Sequence, residues 1–127
     1  MNRDERKEFV ARHRTAIFGY GRRQDGPAMT IVYYVVDGDD LLVSTTIGRR
    51  KETNLRRDPR ITVMINPATA PYTYAEVRGT ATLTTEGGQE LINALSRKYT
   101  GKDYPWNQPG EERVVVKIRP THATTQG

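Results

Sequence analysis

The stretch Leu42–Ile65, LVSTTIGRRKETNLRRDPRITVMI, decides the fold assignment of this chain. Its first residues, up to Thr46, include the β-branched types that strands favour, and in Arg60–Ile65 every second residue is apolar, as in a strand with one buried face. The glycine and the basic residues between them fit a turn and a brief helix, which Asp58 and Pro59 end. The stretch therefore predicts a strand, a turn, a short helix and a second strand.

The turn within this stretch has the composition of an anion-binding site. Its hydroxyl-bearing and cationic residues are Ser44, Thr45, Thr46, Arg49, Arg50 and Lys51. Free backbone N–H groups at a helix start, together with the helix dipole, favour an anion there, and fixed cations strengthen the site. The alternative is that these arginines form only a solvated basic surface, as runs of charge often do.

The composition limits the classes of protein to consider. With 127 residues the chain is expected to form a single domain, 1–127. The absence of cysteine excludes disulfides, thiolate metal sites and thiol catalysis. The N-terminus lacks the apolar segment of a secretory signal, and no apolar run approaches the roughly 20 residues that span a bilayer. We therefore expect a soluble, cytoplasmic protein without a membrane partner, and the net charge of +5 favours an anionic ligand.

Working outward, the chain reads as many short strands and few helices. The predicted strands are 15–20, 28–36, 41–46, 60–65, 72–84 and 112–119, with helices at 3–13, 51–57 and 85–99. Gly79, inside a strand, indicates a bulge, and Gly101 indicates a helix C-cap. The polar tail after Pro120 is expected to fray. Short strands joined by tight turns favour a mainly β (α+β) antiparallel barrel that is closed or nearly closed.

The order of these motifs resembles a known family. The segments that carry the likeness are DGP (25–27) before AMTIVYYVV, then DGDDLLVSTT, RRKETNLRRDPR, YTYAEVRGTATL, SRKYTG, DYPW and RVVVKIRPTHA. Together they resemble the split β-barrel flavin and deazaflavin proteins related to pyridoxamine 5′-phosphate oxidase, and most closely the small branch that uses coenzyme F420. The likeness runs from about Phe9 to Ala123. It implies a six-stranded antiparallel split β-barrel with one main helix, of the FMN-binding type, that forms a homodimer with the cofactor at the interface.

The resemblance also implies roles for individual residues. Arg49 and Lys51 would bind the cofactor phosphate, with Arg50 as a third candidate. The other positions that it implies are Ser44, Thr45 and Thr46 at the ring and ribityl chain, Met29, Thr30, Ile31 and Val32 along the ring, and Tyr72 and Tyr74 reaching from the partner subunit. Each has a plainer alternative: the strand residues are simply buried, and the tyrosines only pack in the dimer.

The implied activity is hydride transfer from reduced F420 to an electron-poor small-molecule acceptor. FMN is the alternative cofactor, but surplus cations such as Arg56, Arg57 and Arg60 would suit the oligoglutamate tail of F420. No catalytic side chain is assigned, because no carboxylate pair and no Ser-His-Asp set stands at a credible spacing. The two histidines give no case for a metal site. The loops 68–73 and 103–110 are expected to shape the acceptor pocket.

Two other classes of function remain open. A non-catalytic protein that binds F420 or a flavin would share every feature above. A nucleic-acid-binding barrel would explain the basic charge, but its cations should interleave with exposed aromatic residues along a sheet face. Here the cations cluster around one turn, so we expect no nucleic-acid partner.

Overall fold

The computed structural model describes residues 1–127 and is mainly β. The elements are α1 (Arg3–Arg12), β1 (Thr15–Tyr20), β2 (Ala28–Tyr33), β3 (Val35–Asp37), β4 (Asp40–Thr46), α2 (Arg50–Arg57), β5 (Arg60–Ile65), β6 (Tyr74–Thr84), α3 (Gly88–Thr100) and β7 (Arg113–Gln126). The prediction of an antiparallel split barrel with one main helix and two short ones is confirmed. There are seven strands where the sequence predicted six, because the run at 28–36 is divided in two.

The sheet curls into a barrel that is not fully closed. Its strand order is β2-β1-β5-β6-β7-β4-β3, and all neighbours are antiparallel. β2 and β3 form opposite edges, although only Tyr34 separates them along the chain. The segment Ala28–Asp37 therefore pairs with β1 through its first half and with β4 through its second half, which brings the two edges of the sheet together at Tyr34.

Tyr34 divides the long apolar run because its backbone and side chain are both used elsewhere. Its N–H donates to the carbonyl oxygen of Arg14 at 3.1 Å. Its hydroxyl, on a side chain that is almost completely buried, donates to the carbonyl oxygen of Val10 near the end of α1. These contacts join residues far apart in sequence, so strand propensity could not reveal them.

The core fills the inside of the curled sheet. Alternate residues of the strands point inward, as Ile61, Val63 and Ile65 do on β5. Leu55 of α2 belongs to this core at the end of the barrel where β4 finishes. Val10 of α1 belongs to it near the start of β4, and thus at the other end. The two short helices therefore cover the two ends of one core.

Helix α3 packs on the outside of the sheet. Leu91 and Leu95 form a small cluster with Val115 of β7. Gly88 opens the helix where a Cβ would lie 2.5 Å from the carbonyl oxygen of Arg113, so this approach requires glycine. The helix ends at Gly101, which has a left-handed φ of 76°, as the sequence predicted.

Strands β6 and β7 pair along almost their whole length. The pairing register shifts between Arg78 and Gly79, which confirms the predicted bulge. The expectation that the tail after Pro120 frays is wrong, since β7 continues to Gln126, which pairs with Tyr74. The tail is held by backbone hydrogen bonds, and polar side chains on an outward face do not signal them.

Candidate functional site

The turn between β4 and α2 is fixed by a buried carboxylate. Gly48 has a φ of 90°, and its N–H donates to Glu52 Oε1 at 2.8 Å. The Gly48 N–H, with the paired guanidinium of Arg56, holds the pKa of the Glu52 carboxyl below its usual range. Glu52 is only 5% exposed, and its two oxygens accept hydrogen bonds from the Gly48 N–H and from the Arg56 guanidinium. The start of α2 is therefore held in one conformation.

Three cations meet at that helix start. Arg49 precedes the helix, and Arg50 and Lys51 are its first two residues. No side chain caps the helix, so its first N–H groups lack an intrachain partner of that kind. Lys51 is half-buried, and burial, followed by the charge of Arg49, lowers the pKa of its amine from the usual value. Positive charge and free donors converge here as a phosphate group requires.

The hydroxyl residues of β4 do not share one face. Ser44 pairs with Val115, which lies under α3, so Ser44 faces the helix-covered side of the sheet. Thr45 is 2% exposed and points to the opposite side, into the barrel, because side chains alternate along a strand. The hydroxyl oxygens of Ser44 and Thr45 are buried without a hydrogen-bond partner. Thr46, on the Ser44 side, pairs with Arg113. The three side chains therefore do not line one face of the sheet, and their contact with a cofactor stays a prediction.

Strand β2 turns two of the four predicted ring-contacting residues to the outside. Met29 is 69% exposed and Ile31 is 76% exposed, so the alternative of a fully buried strand is wrong for both. Thr30 and Val32 face inward, and the hydroxyl oxygen of Thr30 is buried without a partner. The edge strand of the sheet thus presents large apolar side chains to the surroundings.

These side chains belong to a larger apolar surface. Ile31 pairs with Ile17 of β1, which in turn pairs with Met64 of β5. We call Ile17, Met29, Ile31, Tyr33 and Met64 the outer stripe. Isolated exposed apolar residues are ordinary, but neighbouring apolar residues on three strands form a larger patch, in which Met29, Ile31 and Tyr33 are exposed and Ile17 and Met64 are partly exposed.

A groove of about 690 Å³ runs beside the outer stripe and has a charged rim. Arg60 on this rim donates to the Asp58 carboxylate at 2.8 Å, which lowers the pKa of Asp58 to about 2. Arg78 also lines the groove and lies 3.3 Å from Glu76. Because these charges are paired, the groove is not a strongly cationic channel.

The surplus cations expected to suit an anionic tail also have partners. Arg56 pairs with Glu52, Arg60 pairs with Asp58, and Arg57 donates to the carbonyl oxygen of Gly21 at 3.2 Å. These side chains are therefore partly committed within the chain. At the start of α2, Arg49 has one ion-pair partner, Glu111, and Arg50 and Lys51 have none.

The two tyrosines predicted to reach a second subunit are available at the surface. Tyr72 is 82% exposed and lies just before β6. Tyr74 is half-buried and lies on the outer side of β6, opposite to the buried Ala75. Their part in a dimer remains a prediction.

The sequence did not reveal that the loop 103–112 lies against the turn between β4 and α2. The N–H of Ile47 donates to the carbonyl oxygen of Glu112 at 3.0 Å. The carboxylate of Glu111 lies 3.7 Å from the guanidinium of Arg49. An acidic pair before a buried strand gave no signal of this contact, because it depends on how β7 pairs with β4.

Neither a metal-binding cluster nor a membrane-spanning helix is present. No group of three or more His, Cys, Asp or Glu residues is arranged to hold a metal ion. No helix combines the length and the apolar character that crossing a bilayer demands.

A family model described as pyridoxamine 5′-phosphate oxidase matches residues 3–127. The match covers nearly the whole chain, and the split barrel is the fold of that class. The chain therefore belongs to the pyridoxamine 5′-phosphate oxidase family, whose members are flavin-binding split-barrel proteins.

Solved structures agree with this assignment. The chain is similar to a protein described as an F420 reductase, at 22% identity and a TM-score of 0.81, with 94% of this chain and 96% of that chain covered. It is also similar to the conserved hypothetical protein Rv2991 from Mycobacterium tuberculosis, at 22% identity and a TM-score of 0.80, over 98% and 84% of the two chains. A FAD-binding protein from Mesorhizobium loti matches at 12% identity and a TM-score of 0.71, over 97% and 92%. At these identities the likeness shows the fold.

Proposed function

We propose that this protein is an F420-dependent reductase, which transfers a hydride from reduced F420 to an electron-poor organic acceptor. The observation that carries the proposal is the uncapped start of α2, where Arg49, Arg50 and Lys51 meet. Family membership and the similarity to a protein described as an F420 reductase support it.

The residues of this chain fit the phosphate end of such a cofactor best. Arg49 and Lys51 would hold the phosphate, helped by Arg50 and the free N–H groups of the helix. The buried hydroxyls of Thr30 and Thr45 have no hydrogen-bond partner within the chain, but they lie inside the barrel and not at this turn. When bound, F420 supplies the two-electron hydride chemistry, while the protein orients it and excludes water.

We also propose a homodimer, because the outer stripe is too apolar to remain uncovered. A second copy placed on β2 would bury Met29, Ile31 and Tyr33 and cover an edge strand. Tyr72 and Tyr74 would then approach the cofactor of the neighbouring subunit. The partners of the protein would be this second copy and the small-molecule acceptor.

One observation favours FMN as the second candidate cofactor. F420 and FMN share a ring, a ribityl chain and a phosphate, but only F420 carries a tail of several carboxylates. Arg56, Arg57 and Arg60, which could bind that tail, already have intrachain partners. A site with cations only at the start of α2 would serve FMN equally well.

The catalytic part of the proposal is tested by oxidation of reduced F420. Purified protein is mixed with chemically reduced F420 and, in separate reactions, with a quinone and a nitroaromatic acceptor. We expect the absorbance of oxidised F420 to recover faster with protein than without it, at a rate proportional to protein concentration. Tight F420 binding with no acceleration for any acceptor would favour a non-catalytic binding protein.

The binding part is tested with Lys51→Ala, for which Lys102→Ala is the matched control. Lys102 is an exposed lysine without an ion pair, so the control removes one positive charge elsewhere. We expect Lys51→Ala to weaken F420 binding by about 1.5–3 kcal/mol, the range for a hydrogen bond to a charged group. Lys102→Ala should bind as the parent does. Equal affinities for all three proteins, measured by fluorescence titration, would mean that the phosphate lies elsewhere.

A further inference from the structure

A carboxylate of the chain already occupies the neighbourhood that we assign to the phosphate. Glu111 Oε1 lies 3.7 Å from the Arg49 guanidinium. The separation exceeds that of a hydrogen bond, so this pair is held by charge and not by directional bonding. The Glu111 side chain is only 14% exposed, whereas that of Arg49 is 58% exposed. Glu111 is therefore the fixed member of the pair, and Arg49 is the one that is free to move.

Glu111 is fixed from its other side by the loop 103–112. Its Oε2 accepts the Gln108 N–H at 2.9 Å and lies 3.7 Å from the guanidinium of Arg113. Arg113 in turn donates to Asn107 Oδ1 at 3.4 Å, and its side chain is only 7% exposed. The Glu111 carboxylate thus bridges Arg49, in the turn between β4 and α2, and Arg113, at the start of β7.

Arg113 also connects this carboxylate to the single tryptophan of the chain. The guanidinium of Arg113 lies 4.8 Å from the centre of the Tyr104 ring. Tyr104 contacts Trp106 edge to face, with their ring centroids 5.7 Å apart. A change in the charge balance at Glu111 therefore has a continuous path of contacts to the indole.

We propose that Glu111 is a specificity-determining residue, which competes with the incoming phosphate for Arg49 and transmits that exchange to the Trp106 loop. The inference rests on the proposed function, because it assumes that a phosphate binds at the start of α2. A ligand must offer Arg49 more than the Glu111 carboxylate does. The site therefore selects a phosphate group, which can bind Arg49, Lys51 and the N–H groups of α2 together, over a lone carboxylate. When the Arg49 side chain moves to the phosphate, Glu111 keeps only Arg113 as an ion-pair partner. The loop 103–112, which packs on Arg113, then changes its conformation.

The test uses inorganic phosphate as the probe, at constant ionic strength, with the full chain. The variant is Glu111→Gln, which removes the negative charge while keeping an oxygen that can accept the Gln108 N–H. Glu112→Gln is the matched control, because it removes the same charge from the neighbouring residue. The Glu112 side chain is exposed and makes no ion pair. Binding is measured by calorimetry, and Trp106 emission is followed in parallel. Far-UV circular dichroism and thermal melting check that each variant is folded.

For the parent we expect phosphate to change Trp106 emission with the same midpoint as binding. Glu111→Gln should bind phosphate about threefold to tenfold more tightly, as expected for loss of a partly buried competing charge, and its emission response should be largely lost. Glu112→Gln should match the parent in both measurements.

Two outcomes would overturn the inference, and they are distinguishable. If the parent binds phosphate but Glu111→Gln binds it no better than Glu112→Gln, or keeps the full emission response, Glu111 is not a competitor and the inference alone fails. If neither the parent nor Glu111→Gln binds phosphate at all, the phosphate site of the proposed function fails, and the inference fails with it.

Discussion

At the scale of single residues, Lys51 differs from an ordinary surface lysine. It is half-buried beside Arg49, and both burial and that neighbouring charge lower the pKa of its amine from 10.5. A bound phosphate would favour the charged form again, so binding at alkaline pH takes up a proton. The residue can therefore hold an anion firmly at neutral pH and lose it earlier than an ordinary lysine as the pH rises.

This gives a prediction about the pH dependence of binding. We expect the affinity of the parent for F420 to fall over the alkaline range below the ordinary pKa of lysine, because the pKa of Lys51 is lowered and only the protonated amine attracts the phosphate. Lys51→Arg keeps its charge throughout this range, so it should show a smaller fall. The dissociation constants of both proteins are measured by fluorescence at each pH. Because both proteins bind the same ligand, titration of the ligand affects them equally, and the difference between them reports on Lys51. Parallel pH profiles would show that Lys51 does not contact the phosphate.

At the scale of the elements, the bulge between β6 and β7 is the most demanding local feature. Gly79 approaches the backbone of Arg119 so closely that a Cβ would overlap its carbonyl oxygen. Pro120 pairs opposite Gly79, where the irregular ladder tolerates a residue without an N–H. Glycine and proline together thus permit the sharp bend of the two longest strands.

We therefore expect Gly79→Ala to be strongly destabilising. The added methyl group must push two backbone segments apart, which costs about 1–3 kcal/mol by analogy with overpacked cores. Gly26→Ala is the control, because a Cβ there meets nothing within 4 Å, and its effect should stay within about 0.5 kcal/mol. Urea denaturation followed by circular dichroism measures both. A Gly79→Ala protein as stable as the Gly26→Ala protein would contradict the close approach.

Elements whose cause is local could be predicted from the sequence. β5 has the predicted bounds because its alternation and the preceding Pro59 are both local signals. The division of β2 from β3 was missed, because it depends on the hydrogen bond that the Tyr34 N–H donates to the carbonyl oxygen of Arg14. Arg14 lies between α1 and β1, far from Tyr34 in sequence. The end of β7 was missed because its polar side chains carry no sign of the backbone ladder that holds them.

The candidate site was predicted in the same uneven way. The cations at the start of α2 follow from neighbouring positions in one turn, and the structure brings them together. Ser44 and Thr45 were grouped by adjacency, although strand alternation separates them onto opposite faces. Glu111 was missed, since its approach to Arg49 depends on strand pairing between distant segments.

At the scale of the whole molecule, a single chain leaves the outer stripe uncovered. We predict that Ile31→Lys shifts the protein from dimer to monomer, because it places a charge at the centre of that stripe. Ile31 is 76% exposed, so the fold of the single chain should not depend on it. Ala11→Lys, on the exposed side of α1, adds the same charge as a control. Sedimentation equilibrium of the three proteins measures the change, and a parent that is already monomeric would contradict the dimer.

The central claim is that this split barrel binds F420 by its phosphate at the start of α2. The most direct measurement is a side-by-side fluorescence titration of the parent protein with F420 and with FMN at moderate salt. We predict micromolar or tighter binding of F420, about 8 kcal/mol or more, and clearly weaker binding of FMN. Preference for FMN, or binding of neither molecule, would contradict the assignment.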